Sequence, residues 1–82
     1  MLEVDISNVF VIVGKEWTKE KVVDEIVAEG YKHNFTFNIG QNFTEMVKCL
    51  NISNEIWLFG DCDGLEIFKY VERNGFEIWR MG

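Results

Sequence analysis

Two glycine-led stretches hold the residues best suited to chemistry. The first is Gly14-Lys15-Glu16-Trp17 and the second is Gly60-Asp61-Cys62-Asp63-Gly64, each placed directly after an apolar run. Glycine at such a point lets a ligand approach the backbone, and a helix that follows offers free N–H groups with a partial positive charge. Lys15 is the cation there and would meet a phosphate. Asp61 or Asp63 would take a ribose hydroxyl, and Trp17 would give a ring a stacking face. The candidate ligand-binding set is therefore Gly14, Lys15, Trp17, Gly60, Asp61, Asp63 and Gly64, with Gly40-Gln41-Asn42 as a third loop on the same side. No complete G-x-G-x-x-G or P-loop is present, so dinucleotide and triphosphate sites of those kinds are not expected. His33, Cys49 and Cys62 have no metal-ligand spacing, and His33 is expected to be a packing residue, so neither a metal nor a cofactor is anticipated.

The elements that must position these loops follow from the apolar pattern. Val9-Phe10-Val11-Ile12-Val13 and Ile56-Trp57-Leu58-Phe59 are unbroken apolar runs, as expected of strands covered on both faces. Thr18 can cap a helix over Lys19 to Glu29, with Val22, Val23, Ile26 and Val27 at helical spacing and Gly30 as its stop. Residues 31–39 alternate instead: Tyr31, His33, Phe35, Phe37 and Ile39 point one way and polar residues the other, which suits an edge strand. Asn42 with Glu45 forms a capping-box pair before Phe43, Met46, Val47 and Leu50, and Asp63 with Glu66 forms another before Leu65, Phe68 and Val71. Residues 76–81 alternate as a last strand, and Leu2, Val4 and Ile6 suggest a short antiparallel one at the start. The chain is thus expected to be a single α/β domain over residues 1–82. Three helices would cover an open sheet of about four mainly parallel strands, ordered 2-1-3-4. In such sheets a ligand lies beyond the carboxyl ends of the strands where successive crossovers leave to opposite sides, here between the first and third.

Composition narrows the function classes. The 82 residues include seven Phe, three Trp and two Tyr, enough bulk for one small core. Fourteen acids against eight scattered bases give a net charge of −6, which disfavours nucleic acid and anionic membrane as partners. No apolar run is long enough to span a bilayer and the first residues lack a signal-peptide pattern, so a cytoplasmic location is expected. Cys49 and Cys62 are then free thiols, and the Asn-x-Thr/Ser triplets at Asn34, Asn42 and Asn51 are chance occurrences.

Asp61-Cys62-Asp63-Gly64 after an apolar strand resembles the first motif of haloacid-dehalogenase-type phosphatases. Leu65 stands where that family has Thr, however, and the eighteen residues after Gly64 leave no room for its further Lys and acids. A broader likeness runs over residues 43–79. The segments SNEIWLFGD and DGLEIFKYVERNGFEI resemble the carboxyl-terminal half of small Rossmann-like proteins related to nucleoside 2-deoxyribosyltransferases, a group found in bacteria and their phages. Asn54-Glu55, Ile56 to Phe59, Gly64, Glu66-Ile67 and Gly75 fill that family's slots. The resemblance implies a three-layer Rossmann-like sandwich that binds a nucleotide or nucleoside derivative. It also implies Glu66 as the candidate catalytic nucleophile toward a sugar's anomeric carbon. Glu66 lies closer to Gly64 than the family's glutamate does and already pairs with Asp63 at a helix start, so binding without catalysis is the expectation. The other expected reading is a non-enzymatic interaction or inhibitor protein, of phage or accessory type. It would meet a protein partner through its acidic surface or an edge strand, with a homodimer as one form.

Overall fold

A computed structural model of the chain describes residues 6–82. Seven elements alternate: β1 (Asn8–Val13), α1 (Lys19–Glu29), β2 (Asn34–Phe37), α2 (Phe43–Ile52), β3 (Glu55–Phe59), α3 (Glu66–Arg73) and β4 (Trp79–Arg80). The four strands form one parallel sheet in the order β2-β1-β3-β4. This is the expected α/β arrangement. The last strand is shorter than its alternation suggested, and Leu2 and Val4 of the expected amino-terminal strand lie outside the described residues. Ile6, at its end, belongs to no strand and is exposed.

Strand pleating divides the two apolar runs between two cores. Phe10, Ile12, Ile56 and Leu58 pack with Leu50 of α2 and Ile67, Phe68 and Val71 of α3. Val9, Val11, Val13, Trp57 and Phe59 face the other way, toward Val22 and Ile26 of α1. All nine strand residues are buried, which is why neither run shows polar alternation. A single helix cannot cover four strands, and aromatic rings complete the α1 side. Tyr31 and Phe35 pack on Trp57 with ring centroids 4.9 and 5.3 Å away, and Trp17 packs on Phe59 at 5.1 Å. His33 is a half-buried member of this cluster, 5.7 Å from both Phe35 and Trp57.

Local chemistry sets the element ends. The Thr18 hydroxyl accepts from the Lys21 amide at 3.2 Å and the Asn42 side-chain Oδ1 from the Glu45 amide at 2.9 Å; Gly30 closes α1 in the left-handed conformation, φ 76°. One expected cap does not form. α3 starts at Glu66 after Leu65, with no side-chain cap, because residues 61–65 are held otherwise. Asp61 Oδ1 accepts the Asp63 amide at 3.0 Å, and the Leu65 amide donates to the Cys62 carbonyl at 3.0 Å. The Asp63 backbone is thereby held in a turn, three residues before the first residue of the helix. Val23 and Val27, placed by their spacing on the apolar face of α1, are exposed.

Candidate functional site

Val13 and Phe59 end their strands side by side. From there the chain leaves to opposite faces, into α1 and into α3, so the crossover reversal anticipated between the first and third strands is present. The loops beyond it touch each other. The Gly14 amide donates to the Phe59 carbonyl at 2.7 Å, the Lys15 amide to the Asp61 carbonyl at 2.9 Å, and Lys15 and Asp61 form an antiparallel bridge. A Cβ on Gly14 would collide with the Asp61 carbonyl and stand 2.9 Å from Cys62 Sγ. One on Gly60, whose φ is 83°, would collide with the Lys15 carbonyl and lie 2.7 Å from Trp17 Cδ1. These two glycines thus admit the opposite loop, and a ligand cannot enter between them.

What stays open is an apolar-floored depression above this clasp. It encloses about 340 Å³ and is lined by Val13, Gly14, Lys15, Asp61, Gly64 and Leu65. Five of the expected ligand residues therefore gather at the strand ends: Gly14, Lys15, Gly60 and Asp61 in the clasp, and Gly64 on the rim. Trp17 is turned to the α1 side against Phe59, and Asp63 does not line the depression. The depression adjoins the start of α3, whose first turn has no side-chain cap. Glu66 belongs to a separate groove of about 560 Å³ with Phe43, Lys69, Tyr70, Arg73 and Asn74. The signal for that groove was the spacing of Glu66, Lys69, Tyr70 and Arg73, which puts all four on one face of a helix.

Cys62 lies under the clasp, its Sγ 3.7 Å from the Gly60 carbonyl and 3.8 Å from that of Ile12. Burial pushes its thiol above the ordinary range; Arg80 opposes this shift, while Asp61 and Asp63 add to it. A protonated, enclosed thiol is a packing group rather than a nucleophile. Among the described residues no three His, Cys, Asp or Glu side chains come together as a metal site. No helix among them is long and apolar enough to cross a membrane.

Sequence reasoning missed the asparagines. Asn38 Oδ1 accepts from the Val13 amide at 3.0 Å, taking the place that the next β2 carbonyl would have in the ladder. At the other end Asn54 Oδ1 accepts from the Asn8 amide at 2.9 Å. Gln41, in the third loop, donates to the Phe37 carbonyl and accepts from the Cys49 thiol at 3.5 Å, so that loop is tied inward. Side-chain amides carry both a donor and an acceptor, and their choice of partner depends on which strands are adjacent.

Compared with protein-family models, with curated proteins and with solved structures, the chain matches none of them. The likeness to proteins related to nucleoside 2-deoxyribosyltransferases rests on the residues quoted above alone.

Proposed function

We propose that this chain is a small binding domain for a phosphate-bearing nucleotide or nucleoside derivative, held without covalent chemistry over the clasp. The observation that supports this reading is the depression of about 340 Å³ at the crossover reversal, with Lys15 on one wall and the uncapped start of α3 on another. Its size falls within the common range for small-molecule sites, and its place is where open parallel sheets hold ligands. Lys15 and the first amides of α3 meet the phosphate. Asp61, one oxygen of which is engaged by the Asp63 amide, offers the other to a sugar hydroxyl. Val13 and Leu65, rather than Trp17, form the apolar floor beneath the base. The Glu66 carboxylate, in its own groove, takes no part.

Thermal unfolding with AMP, ADP, adenosine and ADP-ribose tests this. A ligand at about ten times its Kd stabilises the folded state by about 1.4 kcal/mol, which raises the midpoint of a domain this size by several degrees. The expected result is such a rise with at least one phosphate-bearing compound, reduced in Lys15→Gln. No rise with any of the four at several millimolar would overturn the reading.

A further inference from the structure

The outer edge of β2 has no strand beside it among the described residues. Exposed edges are usually guarded by charged side chains, proline or a bulge. This one is not. Residues 33–44 contain no Asp, Glu, Lys or Arg and no Pro, in a chain whose net charge is −6. The strand itself thus brings no like charges together when two acidic copies meet along it, while Lys19, Glu20 and Asp24 of α1 flank Val23 beside it.

Hydrogen-bond parity shows which groups are free. The Asn34 amide donates to the Ser7 carbonyl at 3.0 Å and the Asn38 amide to the Val11 carbonyl at 3.2 Å, so even-numbered residues of this strand turn their backbone toward β1. Phe35 and Phe37 therefore turn theirs outward. Gln41 already serves the Phe37 carbonyl, which leaves Phe35 at the centre of the unpaired edge.

An apolar stripe runs beside it. Lys19 Nζ sits 5.2 Å over the Phe37 ring, whereas Glu25, Ile26 and Glu29 look toward Phe59 and Met81. Val23 and Val27, one and two turns after Lys19, continue along the β2 side of α1, 37% and 70% exposed. The helix runs against β2 and rises about 1.5 Å per residue to the strand's 3.3 Å or so. Four residues of α1 thus span about two of β2, so the step from Lys19 to Val23 follows the strand from Phe37 toward Phe35.

We propose that this edge pairs with the same edge of a second copy. The strands run antiparallel about a two-fold axis at Phe35, so the two sheets become one of eight strands. Phe35 of each copy exchanges both backbone hydrogen bonds with Phe35 of the other. Val23 then meets Val23 across the axis, and Val27 lies against the aliphatic stem of Lys19. A foreign strand could satisfy the Phe35 backbone, but only a second copy brings a matching apolar helix at the same height, because the symmetry requires it.

Sedimentation equilibrium on the full chain, from about 1 µM to about 1 mM, tests the association. The expected result is a monomer–dimer equilibrium whose dissociation constant rises at least about tenfold in the Val23→Lys, Val27→Lys double variant, since two exposed apolar contacts are replaced by charge. Circular dichroism of the dilute variant should be unchanged. Mild oxidation with glutathione disulfide should link Val23→Cys into a covalent dimer, while the parent chain and Ile52→Cys, on the exposed end of α2, stay unlinked. A monomer throughout, a dimer indifferent to the lysine pair, or failure of Val23→Cys to cross-link would each overturn the proposal. None of these residues lines the depression over Gly14, so the nucleotide response is a separate result.

Discussion

Gly14 and Gly60 each have a backbone carbonyl of the opposite loop where another residue would place its Cβ. The clasp depends on both, and Gly60 further needs its positive φ of 83°. Gly60→Ala should cost roughly 2–4 kcal/mol, from the collision with the Lys15 carbonyl and the left-handed backbone together. Gly64, four residues on, has open space where a Cβ would sit. Gly64→Ala should stay within about 0.5 kcal/mol of the parent. Urea unfolding of the two variants separates them. Equal losses would mean that the clasp is not what these glycines serve. The order of residues puts a glycine after each apolar run, but the partner that excludes a side chain comes from a residue some 46 positions away.

Helix starts show how far a local motif can be trusted. Asn42 and Asp63 both stand three residues before a glutamate. Asn42 caps α2; Asp63 caps nothing, because the Asp61 side chain and the Cys62–Leu65 turn hold its backbone out of register. Asn42→Ala should therefore lose about 1 kcal/mol, whereas Asp63→Ala should change stability by less than about 0.5 kcal/mol. Paired thermal and urea denaturation checks this, and similar losses would restore Asp63 as a cap. The strands show the same division. Two unbroken apolar runs could be recognised as fully covered strands because both faces of the sheet are dry there. The alternation over residues 31–39 pointed to an edge strand, and β2 is one, though it keeps only Asn34–Phe37. The rest of that stretch supplies Tyr31 and His33 to the aromatic cover and Asn38 to the end of the ladder.

At the scale of the whole molecule the layers are unequal, with α2 and α3 on one side of the sheet and α1 with a set of aromatic rings on the other. Folding encloses Cys62 at the junction of the clasp and the α2–α3 core, and this gives global stability a pH signature. The folded thiol titrates above its ordinary range, chiefly through burial. Its contribution is fully present below the unfolded thiol value of about 8.5 and is lost as pH rises toward the folded one, since only the unfolded chain ionises readily there. Unfolding free energy should fall from pH 8 upward, and Cys62→Ala should flatten that fall while lowering stability at pH 7. An unaltered alkaline slope in the variant would assign the loss to other groups.

Apolar periods, caps and glycine stops are short-range signals. They were enough to determine the element order, the parallel sheet 2-1-3-4 and the place where its crossovers reverse, because chirality and burial leave few other ways to join these pieces. Tertiary structure alone decided that the glycine loops close on each other, that Trp17 and Glu66 leave the strand ends, and that asparagine side chains finish the ladders. Each of those outcomes is a contact between residues far apart in the chain, and it depends on distances of a few tenths of an ångström that no periodicity encodes.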